Sequence, residues 1–382
     1  MNFSQFYIGG KWVDPNGTEE IDIINPSTEE CIGKLAMGSV LDVDSAVSAA
    51  RKAFPSFSKT TKKERIDLLN EIREIYKKRY NEVADAMLTE MGAPLSLASG
   101  AQASVGLAHL KTAIRVLQEQ KFEYNHNNML IRKEPIGVCG LITPWNWPIN
   151  QVVSKLAPCI AAGCTSVLKP SEISPLSAII FAEIMQEAGT PEGVFNMIHG
   201  YGPVVGEAMS AHVEIDMMSF TGSTRGGIAV AKSSATTVKR VSQELGGKSP
   251  NIILDDPSFL KSVSRGVSGC MNNTGQSCNA PTRMLVPENR HDEAVEIAKK
   301  SAETMKTGDP RSNETDIGPL VSETQFNKVQ RLVESGIKNG ATLVTGGLGR
   351  PSGLDKGYYV KPTVFANVSN EMEIATEEIF GP

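Results

Sequence analysis

From residue 137 onward, short apolar runs alternate with segments of helical length. No other feature of the sequence constrains the fold as strongly. Strand-like runs stand at 138–142, 165–168, 194–198 and 215–220, and the segments 149–162, 175–188, 202–210 and 224–234 read as helices. A near-continuous apolar run suits a strand buried on both faces, and strand–helix–strand repetition means parallel βαβ units. Right-handed crossovers then favour a doubly wound parallel sheet. Pro158 should kink the first of these helices, because its ring removes an N–H and crowds the preceding turn. A strand at 251–254, helices near 258–272 and 290–305 and a Gly-rich loop at 346–357 mark a second α/β unit that runs to the end of the chain.

The N-terminal part has a different texture. Residues 6–13 read as two short strands around Gly9-Gly10, a hairpin signal. Thr61 and Glu64 have the spacing of a capping box, and Ile66, Leu69, Ile72, Ile75, Val83, Met87 and Met91 then form one apolar stripe. Gly92 and Pro94 end that helical stretch. Between 121 and 136, Phe122, Tyr124, Met129 and Ile131 flank the polar turn 125–128, which reads as a β-hairpin.

Composition removes several function classes. Thirty-eight Lys+Arg against 43 Asp+Glu leave a net charge of −5, without the basic footprint that nucleic-acid binding needs. Hydrophobic residues at 40% and charged residues at 21% are ordinary globular usage, so a disordered chain is excluded. No apolar run approaches the ~18 residues of a membrane span, and the N-terminus lacks the apolar core of a signal peptide. Cys31, Cys139, Cys159, Cys164, Cys270 and Cys278 include no Cys-x-x-Cys pair and no disulfide framework, which fits a reducing, cytoplasmic setting. The five histidines show no metal-site spacing, so no metal is expected.

Chemistry concentrates in a few segments. Gly200, Gly202 and Gly206 lie between a strand and a helix, close to a dinucleotide fingerprint with one extra residue before the last glycine. Gly222 and Ser223 form a second glycine turn after the next strand, where free N–H groups and a helix dipole suit a phosphate. Lys169 and Glu172 follow another strand, at the end where open α/β sheets bind ligands, and could grip ribose hydroxyls. Each also has a plainer reading, as turns and a solvated loop. Cys278, in a polar loop with Gly275 and Gln276, is the one cysteine whose setting suits an exposed thiolate; Cys139, Cys159 and Cys164 read as small buried hydrophobes. Glu244 is a carboxylate beside the Gly246-Gly247 turn. Asn146, between Trp145 and Trp147, is either part of an aromatic turn or a donor suited to an oxyanion.

Taken together, Pro144-Trp-Asn-Trp-Pro148, Leu168-Lys-Pro-Ser-Glu172, Phe220-Thr-Gly-Ser-Thr224, Glu244-Leu-Gly-Gly-Lys248, Gly275-Gln-Ser-Cys278 and Glu377-Glu-Ile-Phe-Gly-Pro382 resemble the aldehyde dehydrogenase superfamily, in that family's order and over essentially the whole chain. The resemblance implies an NAD(P)-binding domain at 1–120 and 137–246, a bridging hairpin at 121–136 and an α/β catalytic domain at 247–382. It implies oxidation of an aldehyde to a carboxylic acid. Cys278 would attack the carbonyl, Asn146 and the Cys278 N–H would hold the oxyanion, and Glu244 would activate water to hydrolyse the thioester. Lys169 and Glu172 would bind the adenosine ribose, Gly222 and Ser223 would lie under the pyrophosphate, and Glu378 and Phe380 would contact the nicotinamide riboside. Thr143, Trp145 and Gly206 complete the implied cofactor set. Glu172 favours NAD over NADP, with Lys169 leaving NADP usable. Trp147 stands where many members carry Phe, which should reshape the substrate pocket. Pro382 lies inside the family's catalytic region. The resemblance therefore implies a homo-oligomer for a complete chain and little dehydrogenase activity for residues 1–382 alone. The alternative is a non-catalytic fragment or pseudoenzyme that still binds a nucleotide or a partner.

Overall fold

The computed structural model describes residues 3–382. Two compact units divide the chain: one holds residues up to Ile23, Cys31–Met87 and Ser99–Leu245, and the other holds Ile24–Glu30, Leu88–Ala98 and Gly246–Pro382.

In the first unit, β1 (Phe6–Ile8) and β2 (Lys11–Val13) pair antiparallel around Gly9-Gly10, as expected. After β3 (Glu20–Asn25) and β4 (Glu30–Ala36), the next strands are β5 (Glu123–His126) and β6 (Met129–Arg132). They form the expected hairpin, with a tighter turn. His126 pairs with Met129, which leaves Asn127 and Asn128 at the corner, and Asn127 takes φ 51°. Asparagine tolerates this left-handed conformation because its short polar side chain bonds locally.

The main sheet contains β7 (Val138–Ile142), β8 (Thr165–Lys169), β9 (Phe195–Met197), β10 (Met217–Gly222) and β11 (Arg240–Leu245). These five run parallel in the order β11-β10-β7-β8-β9, and β1 and then β2 extend it antiparallel at the far edge. Both faces are buried. Val138 and Ile142 of β7 join one apolar cluster with α1 (Val40–Phe57), while Cys139 and Leu141 join the other with α2 (Lys62–Lys78). Alternate side chains of one strand thus enter opposite layers, which is why the strand reads as a continuous apolar run.

α3 (Tyr80–Met91) follows α2 after one residue, so the expected single helix over 61–91 is two. Arg79 interrupts it with φ −99° and ψ 14°, and its guanidinium binds Glu82, Glu183 and Glu187. The capping box at Thr61 and Glu64 is present. α4 (Leu95–Leu97) is a single turn, and α5 (Ala103–Glu119), like α1, falls in a stretch to which the sequence reading assigns no element. α6 (Pro148–Ala162) runs unbroken through Pro158, which lies on its exposed side. α7 (Leu176–Glu187) is as expected. In place of one helix over 202–210, a wide π-turn at Gly202–Gly206 precedes α8 (Glu207–Ala211). α9 (Thr224–Ser234) matches the expected span.

The second unit contains α10 (Phe259–Met271), α11 (His291–Glu303) and α12 (Glu323–Lys338), with α13 (Glu373–Thr376) near its end. β12 (Pro250–Ile252) pairs parallel with β13 (Arg283–Leu285), and β14 (Thr342–Thr345) pairs antiparallel with β15 (Val364–Ala366). The expected strand at 251–254 therefore ends two residues sooner. Phe259, Val263, Val267 and Met271 of α10 bury against Ala294, Ala298 and Ala302 of α11, where the small alanines admit a close helix approach. Residues 346–357 form the expected irregular glycine-rich segment.

His199, just past β9, is fully buried beside Phe6, and neither ring nitrogen has a partner among the described residues. Burial, and secondarily the Lys169 ammonium, lower its pKa to about 3. An unfolded histidine titrates near ~6.5, so between these values the unfolded chain binds the extra proton and stability falls as pH falls. His199→Leu should flatten that acid-side loss by up to ~1.4 kcal/mol per pH unit. Denaturant midpoints at pH 7, 6, 5 and 4 measure it, and parallel curves for the two proteins would exclude His199 as the cause.

Candidate active site

The first group of candidate residues gathers at the carboxyl ends of the parallel strands. The chain passes from β7 to β8 and β9 on one side and then returns to place β10 on the other side of β7. This reversal opens a crevice at the strand ends, where open α/β sheets take their ligands. Thr143 follows β7 and its N–H donates to the Lys169 carbonyl across the strand ends at 3.1 Å. Lys169 ends β8, buried, and its Nζ donates to the Pro170 carbonyl and to Glu172 Oε2, each at 3.0 Å. Gly222 ends β10, and a Cβ there would press into the Phe220 ring. Ser223 caps α9: its Oγ accepts from the Gly226 N–H at 3.2 Å, which leaves other first-turn N–H groups free for an anion.

Gly200 takes φ 157°, and a Cβ on Gly206 would make ordinary van der Waals contact with Ile142 and Lys169, at 3.6 and 4.0 Å. Among the described residues, buried Thr221 Oγ1 at the same strand end has no hydrogen-bond partner. Free N–H groups at a helix start, a lysine–carboxylate pair and an unsatisfied hydroxyl fit a dinucleotide laid across this edge.

Asn146 and Trp145 sit in the β7–α6 connection. Asn146 is buried and its carbonyl accepts from Gln102 Nε2 at 3.5 Å; the Trp145 carbonyl accepts from Ser174 Oγ at 3.4 Å. Trp147 caps α6 in non-helical geometry and Pro148 occupies the first helical position, where its missing N–H costs nothing. Glu244 belongs to a strand the sequence reading does not assign. It lies on exposed positions of β11, opposite Thr221 of β10. On α6, Lys155 Nζ donates to Ser219 Oγ at 2.9 Å, and burial lowers its pKa to about 8 although the nearby Glu244 carboxylate acts to raise it.

The second group lies in the other unit. Cys278 is half-buried, in the loop after α10. Asn273, Thr274 and Gly275 all take left-handed geometry, at φ 55°, 56° and 68°. Two of the three carry side chains, and such positions cost ~1–3 kcal/mol each. Hydrogen bonds hold them there. Asn273 Nδ2 donates to the Gln276 carbonyl at 3.2 Å, Thr274 Oγ1 donates to the Gly318 carbonyl at 3.4 Å, and Gln276 Oε1 accepts from the Val321 N–H at 3.0 Å. A Cβ on Gly275 would collide with the Gly381 backbone, so the cysteine loop and the end of the 377–382 motif touch directly.

In that motif Phe380 has φ 62°, and Gln325 Nε2 of α12 donates to the Ile379 and Phe380 carbonyls at 3.2 and 2.7 Å. Glu378 accepts from the Gly247 N–H at 3.3 Å. Burial raises the Glu378 pKa and lowers those of Lys328 and Lys248, whose charges partly restore the carboxylate. Sequence reasoning missed Gln325, Lys328 and Lys155. They sit on amphipathic helices, where a polar residue looks like solvent-facing surface. Gln276 lay within a quoted motif, yet its buried side chain is what ties the loop to Val321.

Among the described residues, no cluster of three or more His, Cys, Asp or Glu is set to hold a metal ion, and no helix is long and apolar enough to cross a membrane. The model of the aldehyde dehydrogenase family matches residues 12–382. A 3-succinoylsemialdehyde-pyridine dehydrogenase from a Pseudomonas species is 50% identical over 382 residues, which is all of this chain and 80% of that protein. A putative aldehyde dehydrogenase from Staphylococcus haemolyticus is 46% identical, also over 100% of this chain and 80% of its own. Among solved structures, a mutant aldehyde dehydrogenase C from Pseudomonas syringae complexed with NAD+ and octanal superposes with a TM-score of 0.98 at 49% identity, covering all of this chain and 78% of that one. The NAD+ complex of an aldehyde dehydrogenase from Bacillus cereus does so at 0.95 and 36%, with the same coverage. The non-catalytic fragment reading finds no support in these similarities, and the α/β fold with its parallel sheet is the one these structures share. This chain belongs to the aldehyde dehydrogenase family.

Proposed function

We propose that the chain carries the machinery for NAD-dependent oxidation of an aldehyde to a carboxylic acid. The observation that carries this reading is the cysteine loop, where two non-glycine residues are held in left-handed geometry next to the half-buried Cys278. Strain retained against its cost is characteristic of functional sites. The first unit then serves as the cofactor-binding domain and residues 247–382 as the catalytic domain. The Cys278 thiolate attacks the aldehyde carbonyl, and Asn146 and the Cys278 N–H receive the developing oxyanion, a contribution of several kcal/mol for preorganised donors. An oxidised nicotinamide, when bound, supplies the hydride acceptor. The resulting Cys278 thioester is hydrolysed by water that Glu244 deprotonates. Lys155, whose pKa burial lowers to about 8, adds a nearby positive charge that favours the Glu244 carboxylate.

Lys169 and Glu172 hold the adenosine ribose, with Thr143, Trp145, Gly206, Gly222 and Ser223 around the phosphates. Glu378 and Phe380 orient the nicotinamide riboside. The NAD+ complexes of the similar structures support this cofactor, and octanal in one of them supports an aldehyde as substrate. The exposed Tyr124, Met129 and Leu130 of the β5–β6 hairpin support its role as a bridge in a homo-oligomer. Six free cysteines support a cytoplasmic setting.

Cys278→Ala should lower aldehyde-dependent NADH production at least ~1000-fold while cofactor binding, read by fluorescence titration, persists. Retained turnover would remove Cys278 from the role. Glu244→Gln should slow the steady state ~100-fold or more and leave a burst of NADH followed by a stall, because hydrolysis and not acylation loses its base. Equal slowing of both phases in a rapid-mixing trace would argue for a different base. The Glu172 charge disfavours a 2′-phosphate. kcat/KM should therefore favour NAD over NADP, and Glu172→Gln should narrow that ratio ~10-fold through the loss of one charge contact. A ratio that does not change would place discrimination elsewhere.

A further inference from the structure

One face of α6 is polar, and two groups of the proposed reaction border it. Asn146 stands just ahead of the helix. Lys155, about two turns on, lies near the Glu244 carboxylate and donates to Ser219 Oγ of β10 at 2.9 Å. At ~100° per residue, Asn150 and Lys155 project ~140° apart around the helix, and Gln151 and Ser154 fall between them. All four are half-buried. Ile149, Val152 and Val153 fill the opposite side and belong to the apolar core. The polar arc therefore starts at the oxyanion donor, with the Glu244 base on its Lys155 border and Asn150 on the other border.

α5 forms the wall beside Asn150. Gln102, at the entry to α5, donates to the Asn146 carbonyl at 3.5 Å. At the other end, the first turn of α2 holds both helices. Lys62 Nζ donates to the Gln118 and Gln120 carbonyls, each at 2.9 Å, and Arg65 Nη1 to the Ala161 carbonyl, also at 2.9 Å. α5 and α6 therefore run side by side in the same direction. His109 of α5 lies across from Asn150, with Nε2 2.6 Å from Asn150 Oδ1. An amide oxygen only accepts, so Nε2 carries the proton and donates it. This contact fixes the amide plane and turns the Nδ2 hydrogens outward as donors; among the described residues they meet no acceptor. Side chains on a helix lean toward its N-terminus, so the Asn150 amide leans toward Asn146.

We propose that Asn150, positioned by His109, selects the substrate: the preferred aldehyde carries a ketone-type oxygen about four bonds from its formyl carbon, and Asn150 Nδ2 donates to that oxygen. This rests on the reading of Asn146 as oxyanion donor and Glu244 as base. With the reacting carbonyl between those two groups, the substrate chain leaves along the opposite border of the arc, past Asn150. Four residues of helix separate Asn146 from Asn150, ~6 Å, which about four bonds of ~1.5 Å span. The acceptor is neutral because α6 brings no cation to that border. Its one lysine, Lys155, stands at the far edge and is engaged by Ser219. A carboxylate beside Asn150 would be partly desolvated against amides without a counter-charge. A plain alkyl chain would instead strand the Nδ2 donors, and that penalty supplies the discrimination.

Three aldehydes test this on the full chain with NAD+: levulinaldehyde, which carries the ketone; pentanal, the same carbon chain without it; and succinic semialdehyde, with a carboxylate in its place. kcat/KM should favour levulinaldehyde over each of the others ~10-fold, the worth of one well-made hydrogen bond. Asn150→Leu should bring the levulinaldehyde-to-pentanal ratio close to one, mainly through KM. His109→Phe should narrow the ratio, and His109→Gln, which keeps a donor near the Nε2 position, should restore it. Equal kcat/KM for levulinaldehyde and pentanal, a ratio that Asn150→Leu does not move, or a preference for succinic semialdehyde would each overturn the assignment. Tryptophan fluorescence titration of Cys278→Ala repeats the comparison as Kd ratios, without turnover. A levulinaldehyde preference there that disappears with Asn150→Leu upholds the selection even where the Cys278 chemistry fails, and equal Kd values overturn it even where that chemistry holds. The comparison of aldehydes on the unsubstituted chain decides the question where a variant does not fold.

Discussion

β10 pairs with β7 and not with β9, the strand that precedes it in the chain, and the arrangement of the strand ends depends on that choice. Adding strands outward from β7 in one direction only would bring successive connections across the same edge, with no reversal in strand order. Because the sheet grows first through β8 and β9 and then through β10 and β11, the connections on either side of β7 diverge, and the crevice they leave collects Thr143, Lys169, Gly222 and Ser223. The pairing itself is enforced by burial. Met218 and Phe220 of β10 join Val138 and Ile142 of β7 in one apolar layer, while Met217 packs on the opposite layer. A one-residue slip would exchange these faces.

The second unit obtains precision by other means. Its cysteine loop has no strand ladder to hold it, and three consecutive residues adopt backbone geometry that most side chains avoid. The loop persists because Gln276, fully buried, has both ends of its amide used, with the carbonyl of Asn273 at one end and the N–H of Val321 at the other. An amide that satisfies two otherwise buried backbone groups offsets part of the strain, since leaving either group unpaired would cost ~1–3 kcal/mol. Gln325 does the same for the 377–382 segment, which it grips by two carbonyls around left-handed Phe380. Both glutamines act on backbone alone, so neither carries the chemical character by which a sequence reader recognises a functional residue.

That difference explains what was legible in the sequence. The parallel strands were readable because burial on both faces removes polar residues from them, and their boundaries came out within a few positions. β11 was not, because it lies at the sheet edge and alternates polar with apolar residues, with exposed Arg240, Ser242 and Glu244. α1 does open on a signal of the Thr61–Glu64 kind, the Ser39–Asp42 pair, which the sequence reading passed over, whereas α5 follows a π-turn and has no side-chain cap. The division at Arg79 was invisible because the apolar stripe continues through it; only the ion pairs to Glu183 and Glu187, distant in sequence, fix the break. Pro158 misled for the opposite reason: its local rule is sound, but an exposed helix face has room for the ring. The chemistry-bearing residues were found as motifs, and their supporting amides were not.

One residue type shows how far environment, and not identity, decides chemistry here. Cys270 is flanked by apolar residues and Lys248, and burial raises its thiol pKa to about 11, so it behaves as a hydrophobe. Cys31 is exposed, and its thiol donates to the Gly33 carbonyl at 3.2 Å. Cys278 owes its setting to a strained polar loop. Cys164 stands in an apolar core, 3% exposed, beside the left-handed turn at Gly163. A Gly163→Ala change would meet both the left-handed backbone and the Arg65 guanidinium, so the turn that ends α6 and folds Cys164 back onto the Cys159 carbonyl requires glycine there.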